Sequence, residues 1–256
     1  MRVLFLGDIV GSAGREAVLG QARALRDELA LDCLVANGEN MAGGRGITPA
    51  LADRLFDAGI DIISGGNHTF QHKEIYPYLD SGRAITRPLN YPPGAPGSGM
   101  ASAGGLTVVN LIGRTFMGND YDDPFRAADA ALESIPKAQA VLVDFHAEAT
   151  SEKQALGWYL DGRVAAVIGT HTHVPTADAR LLPKGTAYCT DAGMCGARDS
   201  IIGDDVAQVL RKFLTQMPTR LPAAEGGPAV LNGVLMEIDD ATRRAVSIAR
   251  CDRVVC

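Results

Sequence analysis

Short apolar runs recur along this chain, and each breaks off at glycine or polar residues. Val3-Leu-Phe-Leu6 stops at Gly7-Asp8, Cys33-Leu-Val-Ala36 runs into Asn37-Gly-Glu39-Asn40, and Ile60-Asp-Ile-Ile-Ser64 runs into Gly65-Gly-Asn67-His68. Between them the period changes. Arg15 to Leu31 places Val18, Ala22, Leu25 and Leu29 on one helical face, a Pro49-started helix reaches Ala58, and a further short helix is expected around Glu74 to Leu79. Continuous apolar strands alternating with helices predict βα units with ligands gathered at the carboxyl ends of the strands. The same pattern returns in Leu106 to Ile112, in Ala140 to Phe145 delivering His146, in Val164 to Ile168 running into Gly169-Thr-His171-Thr-His173, and in Thr186 to Thr190 carrying Asp191. Pro124 to Ile135, a Ser151 capping box opening a helix to Leu160, and Asp204 to Gln216 read as helices. Val230 to Ile238 and Ala245 to Ala249 read as a closing hairpin.

The pattern predicts one α/β domain over residues 1–256, with two mixed sheets packed together and helices outside. Ser81 to Gly105 is too rich in Pro and Gly for a simple connection and reads either as a lid over a site or as a surface excursion. A formal charge of −6 leaves no basic stripe, so a bulk electrostatic grip on large nucleic acid or an anionic membrane is not expected. The five cysteines are odd in number and form no CxxC knuckle, which points to a reducing cytoplasm and no structural zinc. No signal segment or membrane-length apolar run is read.

Chemistry enters with the residues at the strand ends: Asp8, Glu39, Asn40, Asn67, His68, His146, His171 and His173. The i, i+2 spacing of His171 and His173 fits an extended or loop backbone, not a helix face. Three of the five histidines follow strand-like runs, which favours metal ligation over isolated capping roles. Two carboxylates, two amides and three or four imidazoles exceed the needs of one tetrahedral ion and suit two ions roughly 3.5–4 Å apart around a shared water. A dinucleotide-binding reading of Gly7, Gly11 and Gly14 fails, because the spacing is not GxGxxG and Asp8 puts negative charge where a pyrophosphate would lie. No GxSxG elbow supports a serine hydrolase.

Gly7-Asp8, Gly38-Glu39-Asn40, Gly66-Asn67-His68, His146 and Gly169-Thr-His171-Thr-His173 together resemble the motif series of the calcineurin-like metallophosphoesterases. Asp144 to Lys153 and the Gly-Glu-Asn motif resemble most closely the YmdB-type branch of bacterial phosphodiesterases, over about the whole chain. Val10 stands where the wider superfamily has a histidine, and Glu39 where it has the bridging Asp; both changes recur in that branch. The resemblance implies a four-layer α-β-β-α sandwich with its two mixed sheets face to face. It implies that Asp8, Glu39, Asn40 and His173 bind one metal, that Glu39, Asn67, His146 and His171 bind the other, and that His68 faces the scissile phosphate. Two divalent or mixed-valence first-row ions are then expected, Fe or Mn first and Zn as an alternative. The implied activity is hydrolysis of small phosphodiesters, 2′,3′- or 3′,5′-cyclic nucleotides, by attack of a metal-bridging hydroxide. A phosphomonoesterase and a metal-binding regulatory protein stay open, as does a homo-oligomer. Tyr91, Phe116 and Tyr121 are candidates for stacking a base, from loop position alone. Asp144 and Glu148 are candidates for holding the His146 ring, and His72 reads as a surface or supporting group.

Overall fold

The strands that open the chain pair in parallel, as their continuous apolar runs require: β1 (Arg2–Leu6) with β3 (Cys33–Asn37), and β3 with β4 (Ile62–Ser64). On the other side of β1 lies the expected hairpin of β13 (Gly233–Ile238) and β14 (Ala245–Arg250), giving the order β14-β13-β1-β3-β4. A second sheet has the order β5-β6-β7-β8-β10-β9, built from Met100–Ala103, Leu106–Ile112, Ala140–His146, Ala166–Thr170, Ala187–Cys189 and Arg180–Leu181 respectively. Register in this sheet sets the site, because Ile112 lies beside His146 and His146 beside Thr170. The computed structural model describes residues 1–256.

Apolar residues of both sheets meet in one cluster. Val3, Phe5, Val35 and Met236 of the first sheet are buried with Val108, Leu142, Ile168 and Cys189 of the second. The other face of the first sheet, through Leu4 and Leu34, packs on Val18, Ala22 and Leu25 of α1 (Gly11–Leu29) and Leu55 of α2 (Pro49–Ala58). The other face of the second sheet, through Val143 and Phe145, packs on Ala128 of α4 (Pro124–Ser134) and Leu156 of α5 (Thr150–Leu160). The short α3 (Ile75–Leu79) follows the His68 loop. No helix is long and apolar enough to cross a membrane, and all five cysteines are free thiols.

Three sheets form where two were expected. β2 (Asp8–Ile9), β11 (Met194–Ala197), β12 (Ala229–Leu231) and β15 (Arg253–Val255) make a separate four-stranded sheet in the order β15-β12-β11-β2. The cause is local. At Gly7 the backbone runs so close to the Gly193 carbonyl that no Cβ fits, and Gly7 donates to the Asn232 carbonyl at 3.0 Å. Both the first strand and the Val230–Ile238 run therefore break there and change sheets, which puts Asp8 at the junction.

Capping chemistry departs once from expectation. Thr48 caps α2 by accepting from Leu51 N, and Asp123 caps α4 by accepting from Phe125 N and Arg126 N. The Ser151 capping box does not form: α5 is preceded by Ala149, with no side-chain cap, and Glu152 is engaged elsewhere. The Pro-rich segment is pinned to β6, with Leu89 N donating to Asn110 O and Ile112 N to Asn90 Oδ1, both at 2.8 Å. α6 (Val206–Thr215) turns an apolar stripe to solvent, with Phe213 69% and Leu214 82% exposed.

Candidate metal centre

Asp8, Glu39 and His146 are fully buried and bring their ligand atoms within 4.8 Å of one another. Each arrives from a different strand end: Asp8 from the β1–β2 break, Glu39 two residues past β3, and His146 as the last residue of β7. The loop after β4 adds Asn67, whose Oδ1 lies 2.8 Å from His146 Nε2, and His68, whose backbone N–H donates to Glu39 Oε2 at 2.7 Å. His171, just past β8, places Nδ1 3.1 Å from His146 Nε2. Gly66 leaves the necessary space, since a Cβ there would overlap both Glu39 Oε2 and His146 Nε2.

Proton placement decides whether this set suits a cation. Thr170 Oγ1 donates to Asp144 Oδ1 at 2.7 Å, so its lone pair accepts from His146 Nδ1–H at 2.9 Å, and the other ring nitrogen turns inward. His171 Nε2 faces Glu148 Oε2 at 3.2 Å, which leaves Nδ1 inward. His173 Nδ1 donates to Ile202 O at 2.7 Å, leaving Nε2 with its lone pair. Each imidazole thus has an outer partner that fixes its tautomer, the arrangement seen in metal-ligating histidines. Asp8 Oδ1 and Asn40 Oδ1 are buried and lack any hydrogen-bond partner in the protein, which is costly unless something else meets them.

Charge points the same way. Burial raises the Asp8 carboxyl above its usual range. Burial also opposes ionisation of Glu39, yet neighbouring His146 and His68 hold it well below the ordinary carboxylate range. The His146 ring is buried, but Glu39, Asp8 and Asp144 outweigh that cost and push it up to about 9, so the pocket draws positive charge. Burial and His146 together push His171 down to about 3, keeping that ring a neutral donor of electrons. Burial pushes Asp144 up to about 6.

Seven of the eight residues read from the strand ends touch one another through the contacts above or through Asn40, whose Nδ2 reaches His68 Nδ1 at 3.2 Å. His173 is adjacent but turned toward Ile202 O, and it lowers the Asp8 carboxyl electrostatically. His171 and His173 both hold positive φ, 96° and 66°, unusual for residues with a side chain. Asp144 makes no direct hydrogen bond to His146 but reaches it through Thr170 and through its charge, and Glu148 serves His171 instead of His146. His72 donates toward Arg45 O at 3.1 Å, outside the cluster. Sequence reading places Asn37 and Asp191 at strand ends but gives no role to Asn37, Thr170, Lys153 or Asp191. Asp191 takes Lys153 Nζ at 2.7 Å, Thr172 Oγ1 at 2.7 Å and Gly193 N at 2.8 Å, fixing the backbone between the two left-handed histidines. The available signal was Asp191 itself, a carboxylate directly after an apolar strand-like run like the other ligand residues.

An oxygen- and imidazole-rich cluster at strand ends of paired α/β sheets makes this a metallophosphoesterase-like protein. The family model described as YmdB-like protein matches residues 4–251, and the chain belongs to that family. A 2′,3′-cyclic-nucleotide 2′-phosphodiesterase of Bacillus subtilis is 48% identical over 255 residues, covering 98% of this chain and 96% of the relative. Among solved structures, a hypothetical protein from Thermus thermophilus superposes with a TM-score of 0.93 at 46% identity, covering 100% of both chains. A phosphatase from Mycoplasma pneumoniae superposes with a TM-score of 0.92 at 32% identity, covering 100% of this chain and 94% of that one.

Proposed function

We propose that this chain is a dinuclear metal-dependent phosphodiesterase acting on small phosphodiesters, with 2′,3′-cyclic nucleotides first and 3′,5′-cyclic nucleotides second. The observation that carries the reading is the pair of unpartnered buried oxygens, Asp8 Oδ1 and Asn40 Oδ1, beside three imidazoles whose outer nitrogens are already committed. The name of the Bacillus subtilis relative supports the substrate class.

In this reading Asp8, Glu39, Asn40 and His173 hold one ion and Glu39, Asn67, His146 and His171 the other. Carboxylate, amide and imidazole ligands together suit iron or manganese and admit zinc. The bound ions supply positive charge to the phosphoryl oxygens and make water a nucleophile near neutral pH. The chain's own residues do the rest. Thr170 and Glu148 hold the His146 and His171 rings with one nitrogen facing the cluster, and the Ile202 carbonyl takes His173 Nδ1 and leaves its Nε2 free for an ion. The His68 side chain reaches solvent, 27% exposed, with Nδ1 held 3.1 Å from Glu39 Oε1. It meets the departing oxygen and gives it a proton, a step worth about 10² to 10⁴ in rate.

The three apolar clusters support a four-layer α-β-β-α sandwich as one domain over residues 1–256. Free cysteines support a cytoplasmic protein, and the exposed stripe of α6 supports a homo-oligomer. Monoesterase activity is the second reading, favoured by the description of the Mycoplasma pneumoniae structure as a phosphatase. Turnover of bis-p-nitrophenyl phosphate, p-nitrophenyl phosphate and cyclic nucleotides by metal-loaded protein separates the readings. The diester and the cyclic nucleotides are hydrolysed faster than the monoester, and His68→Ala lowers turnover about 10²- to 10⁴-fold with metal still bound. Full metal occupancy without hydrolysis of any ester would make the chain a binding protein.

A further inference from the structure

Phe116 is 85% exposed and has φ of 65°, so a large apolar ring is presented to water from a backbone conformation that side chains disfavour. An exposed aromatic costs nothing unusual alone, but this one is held in place. Two consecutive backbone amides just before it, Arg114 N and Thr115 N, donate to Glu152 Oε1 and Oε2 at 2.9 and 3.2 Å. The guanidinium of Arg114 reaches Asp123 Oδ2 at 3.2 Å, closing the loop from the other side. Gly113 makes the clamp fit, because a Cβ there would press on Glu152 Oε2 and Ala147.

The sheet register also shows which rim the loop leaves from. Gly113 N donates to His146 O at 3.0 Å, and Ile112 lies beside His146 in the sheet register. Phe116 follows four residues later, so its Cα is within about 14 Å of the Ile112 Cα at full extension. The loop therefore rises from the same strand-end rim as His146. Further aromatic rings line the neighbouring segment: Tyr121 stands 5.0 Å from Tyr91, and Tyr91 stands 5.1 Å from Phe70, two residues beyond His68. Phe70, Tyr91 and Tyr121 pack on one another and are at least partly buried, which leaves Phe116 as the ring with a free face.

We infer that Phe116 is the platform on which the base of a cyclic nucleotide stacks while its phosphate lies at the metal centre. This rests on the cyclic-nucleotide reading of that centre. A π-face accepts any base, so the contribution is to nucleotides as a class and not to one base over another. Glu152, in this assignment, is a positioning residue that sets the loop.

The experiment compares 2′,3′-cyclic AMP with ethylene phosphate, a cyclic diester that has no base, in wild-type protein, Phe116→Ala and Phe116→Trp. Loss of one stacking contact lowers the ratio of kcat/KM for cyclic AMP over ethylene phosphate on the order of tenfold in Phe116→Ala. The change appears in KM, and Phe116→Trp restores the ratio. An unchanged ratio in Phe116→Ala, or equal losses on both substrates, would overturn the assignment. Wild-type protein that hydrolyses ethylene phosphate but not cyclic AMP would overturn the cyclic-nucleotide reading beneath it. Glu152→Gln retains one carboxamide oxygen for the two amides, so a partial fall in the same ratio is expected; no fall would remove its positioning role.

Discussion

Removing the ammonium group of Lys153 tests how the histidine loop is held. Lys153 and Asp191 are 1% and 0% exposed and meet at 2.7 Å. Breaking a buried pair by deleting one partner typically costs about 3–5 kcal/mol, because the other charge stays behind without its counter-ion. In Lys153→Met the Asp191 carboxylate keeps Thr172 N, Thr172 Oγ1 and Gly193 N as donors, which places the loss at the lower end, about 3 kcal/mol. For a chain of this size that is a fall of roughly 6–12 °C in Tm. Asp191→Ala does something different. It strands Lys153 and also releases Thr172, which lies between two left-handed histidines costing about 1–2 kcal/mol each. The loop then relaxes, and metal affinity falls about 10- to 100-fold, the usual cost of losing a group that orients ligands. Urea denaturation followed by circular dichroism and metal titration calorimetry read the two effects separately. A loss below about 1 kcal/mol in Lys153→Met, or Asp191→Ala binding metal like wild type, would refute the reasoning.

Gly66→Ala pushes a methyl group onto Glu39 Oε2 and His146 Nε2, so purified protein carries less metal while its far-ultraviolet dichroism is retained; unchanged metal content would mean that the ligand cage yields cheaply. Asp178 gives a pH dependence outside the metal site. Burial opposes its ionisation, but hydrogen bonds from Thr190 and Thr176 hold its carboxyl below the ordinary range. Its folded pKa is below its unfolded one, so its stabilisation is complete above the unfolded value and is lost as pH falls through the folded value. Asp178→Asn therefore flattens the acid side of the stability profile, read as urea midpoint against pH, and an unchanged slope would exclude this role.

The strand ends were legible because burial in a parallel sheet forces continuous apolar runs, and the break from Ala36 to Asn37 or from Phe145 to His146 is then abrupt. The third sheet was not. It depends on the contact of Gly7 with Gly193, residues with nothing in their local sequence to announce a shared crossing. The capping box failed for a related reason: Ser151 and Glu152 fit the local rule, but Glu152 finds two amides of the 114–115 loop, 38 and 37 residues away in sequence. Local propensity gave way to a tertiary partner. Asn37 and Thr170 stayed hidden because a polar residue that ends a strand reads as the start of a loop until Asp144 appears between them.

The central claim is that Asp8, Glu39, Asn67, His146 and His171 surround metal ions, and anomalous diffraction from crystals grown with manganese or iron tests it most directly. Two anomalous peaks per chain are expected, roughly 3.5–4 Å apart, with Glu39 between them. A single peak, or peaks remote from Glu39 and His146 at saturating metal, would contradict it.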